Sequence, residues 1–257
     1  MALVRCDMFS ETLGLSTSMT VILPQESAGQ IGMPGAGGTD VPVLYLLHGL
    51  SDDDTTWTRH TSIERYVAPL GLAVVMPQVH RSFYADEVHG LPYWTFLTEE
   101  LPTLVSRFFR VSSDPQDTFV AGLSMGGYGA MKWALREPWR FGGAASLSGA
   151  VAMSHPSENA DPEFAALTHR VFGDTATDGT PDDVLHLMRT ADPATLPPLY
   201  VACGTEDFLY PSNLALVDEA DGRGVPLTID FGPGDHEWSY WDAAIQRVLD
   251  WLPLRTG

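Results

Sequence analysis

An unbroken apolar run, Phe119-Val120-Ala121, leads directly into Gly122-Leu123-Ser124-Met125-Gly126, and helical spacing follows from Gly127 to Leu135. A strand that turns into a helix within so few residues needs glycine on both sides of the turn, because side chains there would collide. The hydroxyl of Ser124 is then pushed out at the top of a sheet. In that setting Gly-x-Ser-x-Gly reads as a nucleophile elbow, and the residues that activate the serine should follow as an acid and then a histidine.

The rest of the chain fits such a sheet. Short apolar runs at 43–47, 72–76, 118–121 and 144–147 are separated by helix-length stretches, and two more follow at 199–203 and 227–231. Continuous apolar strands alternating with helices give a mostly parallel central sheet with helices on both faces, an α/β fold. Residues 2–9 and 15–23 read as an N-terminal antiparallel hairpin. Helices are expected over 62–69, 93–110, 127–137, 212–222 and 237–251. The Gly/Ala/Pro-rich stretch 27–40 reads as a surface loop; it lacks the Gly-Lys-Ser/Thr ending of a phosphate cradle. The 257 residues are expected to form a single domain, with 151–190, acidic and mixed in character, as an inserted cap-like segment near the nucleophile.

The net charge of −19 argues against nucleic acid and anionic membranes as partners. No apolar run approaches the roughly 18 residues that a membrane span needs. Arg5 is followed at once by Cys6-Asp7, and Glu11 interrupts any apolar core of a signal peptide, so a cytoplasmic protein is expected. The two cysteines, Cys6 and Cys203, form no C-x-x-C pattern, and neither a disulfide framework nor a metal site is expected. A homo-oligomer is compatible with the sequence.

The candidate catalytic residues are Ser124, Asp207 and His236. Asp207 lies just past the run 199–203, where α/β sites gather, with Glu206 as the competing acid. His236 is the last of eight histidines and ends the loop Gly232-Pro233-Gly234-Asp235. A capping role for the following helix is its alternative. The developing oxyanion needs two donors, assigned to the main-chain N–H of Met125 and of Leu50 in His48-Gly49-Leu50. His48, Trp57, His80, Trp94 and Trp238 flank these loops and are candidate pocket residues, although large aromatics more often pack in cores.

Several segments carry a closer likeness. These are Leu46-Leu47-His48-Gly49-Leu50, Ile63-Glu64-Arg65-Tyr66-Val67, Val75 to Tyr84, Thr98-Glu99-Glu100-Leu101-Pro102, Phe119 to Ala130 and Cys203-Gly204-Thr205-Glu206-Asp207. In them the chain resembles the tributyrin esterase family, part of the esterase D group with S-formylglutathione hydrolases, feruloyl esterases and mycolyl transferases. The resemblance implies an α/β-hydrolase fold and hydrolysis of short-chain acyl esters. It also implies nucleophile Ser124, acid Asp207, base His236 and oxyanion donors Leu50 and Met125. A small-molecule ester is then the partner, and no cofactor or metal is required. Formylglutathione hydrolases tend to carry a cysteine shortly after the oxyanion step. Here the stretch reads Ser51-Asp52-Asp53-Asp54, which disfavours a glutathione thioester; the acids read as exposed charge, or as a guard against anionic substrates. Acyl transfer to an alcohol, a thioester or feruloyl substrate, and an inert binding protein on the same fold are the competing readings.

Overall fold

The computed structural model describes every residue except 28, 30–34, 37, 39, 153–160, 175, 256 and 257. The first strands, β1 (Ala2–Ser10) and β2 (Leu15–Leu23), form the expected antiparallel hairpin. The parallel strands are β3 (Val43–Leu47), β4 (Ala73–Pro77), β5 (Thr118–Leu123), β6 (Gly143–Leu147), β7 (Leu199–Gly204) and β8 (Leu227–Gly232). Together they make one eight-stranded sheet in the order β1-β2-β4-β3-β5-β6-β7-β8, with β2 antiparallel to β4 and every later pairing parallel.

The helices are α1 (Thr56–His60), α2 (Ile63–Val67), α3 (Tyr93–Thr95), α4 (Leu101–Phe108), α5 (Met125–Arg136), α6 (Pro162–Phe172), α7 (Val184–Thr190), α8 (Tyr210–Arg223) and α9 (Trp238–Trp251). A π-helical turn, Phe96–Glu100, joins α3 to α4. Because strand side chains alternate, the sheet has two buried faces. Val43, Tyr45, Leu47, Val120 and Val201 meet α4, α5, α7 and α8 on one face. Leu44, Leu46, Phe119, Ala121 and Ala202 meet α1, α2 and α9 on the other. Among the described residues no helix is long and apolar enough to cross a membrane.

The helices α1, α6 and α7 were not expected from the sequence. In 151–190 helical spacing is confined to two short stretches, Phe164-Leu167-Val171-Phe172 and Val184-Leu187-Met188, separated by acids, glycines and a proline. The expected segment includes residues 153–160 and 175, which lie outside the described residues, as do several of the 27–40 loop. Its helix α6 packs on the loop after β4. Val88 and His89 donate main-chain bonds to Val171 and Arg170 carbonyls at 2.9 Å, and Arg81 pairs with Glu163 at 2.6 Å. Further along, Asp182 accepts from Lys132 Nζ at 2.9 Å.

Lys132, the only lysine, is fully buried on α5. Its ammonium also donates to the Tyr84 carbonyl at 2.7 Å and lies over the rings of Trp94 and Tyr128. Burial pulls its pKa down to about 8, against the opposing pull of Asp182. One buried cation thus ties α5 to the loop after β4 and to the inserted segment.

The turn from β5 to α5 leaves no space for side chains on its glycines. A Cβ on Gly122 would stand 2.4 Å from the Gly126 carbonyl, and one on Gly126 would stand 2.4 Å from the Leu47 carbonyl oxygen. Gly126→Ala is therefore expected to lower stability by ~3 kcal/mol, the upper end of overpacking costs, because the obstructing atoms are backbone. Gly222→Ala, in the exposed last turns of α8 where a Cβ meets nothing within 4 Å, should instead raise it by roughly 0.5–1 kcal/mol. Urea-unfolding midpoints of the two variants check both signs.

Candidate active site

Ser124 sits between β5 and α5 with φ 53° and ψ −117°, a region that costs a non-glycine residue on the order of 1–3 kcal/mol. Its surroundings hold it there. The Ser124 N–H donates to the Leu147 carbonyl at 2.9 Å, and its own carbonyl accepts from Tyr128 N at 3.0 Å and Ala150 N at 3.1 Å. The side chain remains partly exposed, with Oγ 3.1 Å from His236 Nε2.

His236 arrives on the loop after β8. Its Nδ1 lies 3.0 and 2.9 Å from the two carboxylate oxygens of Asp207. A carboxylate can only accept, so Nδ1 carries the proton and Nε2 turns its lone pair to Ser124. Asp207 follows β7 and is buried. Burial pushes its carboxyl up, but bonds from His236, the Leu209 N–H and the Ser148 hydroxyl, with the His236 charge, outweigh it and hold the group below the usual carboxylate range. Glu206, the competing acid, points elsewhere: Oε2 accepts from Gly234 N at 2.6 Å and Oε1 from Thr205 Oγ1 at 2.8 Å. Those bonds, with Thr205 N to Gly232 O and Glu206 N to Gly234 O, lock the two loops together. A Cβ on Gly204 would stand 2.1 Å from the Gly234 carbonyl oxygen, so the loops touch at bare backbone.

Two further residues support the site. Ser148, fully buried at the end of β6 with φ 47°, accepts from Trp241 Nε1 at 3.1 Å, and its hydroxyl helps to lower the Asp207 carboxyl's pKa. Trp241 also stands edge-on to the His236 ring at 4.8 Å. The only sequence signal was position: both follow or face strand ends, where the other site residues lie.

The His48-Gly49-Leu50 step has a definite hydrogen-bond logic. His48 Nδ1 lies 2.7 Å from the Gly49 carbonyl, which can only accept, and Val79 N–H donates to Nε2 at 3.2 Å. The ring therefore carries its proton on Nδ1. Burial lowers its pKa and favours the neutral form. The Gly49 carbonyl and the Leu50 N–H belong to one planar trans peptide, so holding the carbonyl on one side directs the N–H to the other. The Gly49 N–H is already committed to Asp52 Oδ2 at 3.2 Å. Met125 supplies the first N–H of α5, which has no partner inside the helix.

The pocket candidates separate. His48 and Trp57 are buried: His48 orients the Leu50 peptide, and Trp57 donates Nε1 to the Leu47 carbonyl at 3.1 Å. Trp94 is buried with the Arg136 guanidinium 4.1 Å from its ring centre and Lys132 Nζ nearby. These three present core contacts rather than a cleft wall. Trp238 is half-buried, edge-on to Trp57 and Trp241 and stacked on His60. His80 is exposed with φ 52°. The acids 52–54 are mostly structural. Asp54 is buried and accepts from Ser18 and Thr20 hydroxyls, and Asp53 accepts from Thr55 N and Oγ1 at the start of α1. The exposed-charge reading is corrected at Asp54, whose partners Ser18 and Thr20 are distant in sequence; the Asp53 side chain remains 42% exposed. Among the described residues no group of three or more His, Cys, Asp or Glu side chains converges to hold a metal.

Residues 10–252 match the family model "Esterase", described as "Putative esterase". The fluorophosphonate-binding serine hydrolase F of Staphylococcus aureus, solved with substrate bound, superposes with a TM-score of 0.85 at 34% identity, covering 98% of both chains. An S-formylglutathione hydrolase of the same organism, solved as the apoenzyme, gives a TM-score of 0.83 at 34% identity over 98% of both chains. The acetyl esterase of Caldicellulosiruptor saccharolyticus is 27% identical over 262 residues, 98% of each chain. The fold, the near-complete coverage and these serine hydrolase relatives agree with carboxylic ester hydrolysis, and the chain belongs to this esterase family, within the esterase D group of the α/β-hydrolase superfamily.

Proposed function

We propose that the protein hydrolyses short-chain carboxylic esters through an acyl-enzyme on Ser124. The observation that carries the reading is the line Ser124 Oγ, His236 Nε2, His236 Nδ1, Asp207 carboxylate, with every link within 3.1 Å. Ser124 Oγ attacks the ester carbonyl carbon while its proton passes to His236 Nε2. Asp207 stays ionised and stabilises the imidazolium. The carbonyl oxygen becomes an oxyanion and receives the N–H groups of Met125 and Leu50. Collapse breaks the bond to the alcohol oxygen, which leaves with the proton from His236. Water then attacks the acyl-serine, His236 takes its proton, and the carboxylic acid departs as Ser124 is reprotonated. None of these steps calls on a metal or cofactor.

The acyl preference is drawn from the tributyrin-type resemblance and the acetyl esterase relative. The whole chain acts as one catalytic domain in this reading, with 151–190 as a cap-like segment inserted in it. Glutathione thioester hydrolysis has the staphylococcal neighbour behind it. The loop after β3 favours the ester reading: it carries Ser51-Asp52-Asp53-Asp54 and no cysteine, and Asp52 is occupied with the Gly49 N–H.

Ser124→Ala is expected to lower kcat/KM by about 10⁴-fold or more, since the residual rate of a triad enzyme without its nucleophile is small. A p-nitrophenyl ester series from acetate to decanoate measures this, and wild type should act best on acetate and butyrate. Equal activity of the two proteins, or a maximum at decanoate, would contradict the reading. His48→Ala, which frees the Leu50 peptide to rotate, is expected to lower kcat by about 10- to 100-fold with KM little changed, because the oxyanion exists only in the transition state. Steady-state kinetics on p-nitrophenyl butyrate check the split, and an effect confined to KM would argue against it.

A further inference from the structure

We infer that Phe208 forms the alcohol-side wall of the site and directs it toward esters whose leaving alcohol carries an aromatic or broad apolar face. The inference rests on the serine esterase reading. It begins from a ring in an unfavourable place: Phe208 is 70% exposed, the highest value among the exposed large apolar side chains of the described residues. A phenyl ring left in water is a surface that a ligand can cover.

Its position is set by the site itself. Phe208 lies between Asp207 and Leu209. The Leu209 N–H donates to Asp207 Oδ1 at 2.8 Å, and Tyr210 N donates to the Asp207 carbonyl at 2.9 Å. The backbone on both sides of Phe208 is thus tied to the acid. The ring centre comes within 4.6 Å of the His236 imidazole, tilted by 53°. Trp241 also contacts that imidazole, but it is buried and donates to Ser148. Phe208 is the ring there that faces solvent.

The chemistry says which half of a substrate arrives beside it. His236 takes the Ser124 proton and must deliver it to the leaving oxygen, so the alcohol lies on the imidazole side. The acyl chain is attached to the carbonyl carbon at Ser124 and extends from there. An alcohol with a flat apolar face would lie against Phe208 and shield it, with the offset or edge-on geometry that aromatic pairs prefer. A short aliphatic alcohol would cover little of the ring. The preference is therefore for the alcohol and is independent of acyl-chain length.

Benzyl acetate and ethyl acetate share an acyl group and both release a primary alcohol protonated by His236, so their comparison isolates the alcohol. Hydrolysis of both by wild type is read first. Activity there, lost in Ser124→Ala, upholds the esterase reading; no activity on either would overturn that reading and the inference with it. With wild type active, Phe208→Ala should lower the benzyl-to-ethyl ratio of kcat/KM by about three- to tenfold, the worth of one aromatic contact. The change should appear mainly in KM for benzyl acetate, and Phe208→Tyr should restore the ratio. An unchanged ratio, or an equal loss on both acetates through kcat, would overturn the role of Phe208 while leaving the esterase reading intact.

Discussion

At Gly126 the first turn of α5 runs against the end of β3 with no room for a side chain, and the rest of the site is arranged around that approach. The same approach puts the first turn of α5 beside the start of the loop after β3, with the His48 carbonyl oxygen 2.8 Å from where a Cβ on Gly126 would stand, and Ser124 just before α5 has φ 53°. The strain at Ser124 is on the order of 1–3 kcal/mol, small enough for two buried sheet faces to hold. Tyr84 reinforces the junction. Its hydroxyl donates to the His48 carbonyl at 2.9 Å, and its ring lies so close to α5 that a Cβ on Gly129 would stand 2.5 Å from it.

The other half of the site is held differently. The loops carrying Asp207 and His236 leave adjacent strands, β7 and β8, and interlock through Glu206 and the Gly204–Gly234 contact. Glu206 works as a structural acid, while Asp207 is the buried one that faces the imidazole. Because the folded protein holds Asp207 below its unfolded value, its ionisation stabilises the fold above the unfolded pKa. That contribution is lost only as pH falls through the lower folded value. The carboxylate that orients His236 thus stays charged across the usual carboxylate range.

Strand and helix periodicity made the sheet legible, because buried parallel strands are apolar throughout and the turn at 122–126 has few solutions. Chain order made Ser124, Asp207 and His236 legible as a set, and the structure brings those three side chains within hydrogen-bond reach. What the sequence did not carry was direction. Trp57 and Trp94 flank the right loops yet face inward, because one satisfies the Leu47 carbonyl and the other lies against Lys132 and Arg136. The run Asp52-Asp53-Asp54 looked like surface charge, but partners distant in sequence, Ser18 and Thr20, take up Asp54. Ser148 and Phe208 were missed because a single serine or phenylalanine has no pattern; only proximity to Asp207 and His236 gives them meaning. The helices α6 and α7 are short, and the acidic, Gly- and Pro-containing stretches around them hide the helical spacing of Phe164, Leu167 and Val171 and of Val184, Leu187 and Met188.

The central claim is that Ser124 is the activated nucleophile of this arrangement. Labelling with a fluorophosphonate, followed by intact mass measurement and peptide mapping, tests it most directly. The account predicts one phosphonyl group per chain, on Ser124, with esterase activity lost in step with labelling. A stoichiometric adduct on another residue, or full esterase activity after complete labelling of Ser124, would contradict it.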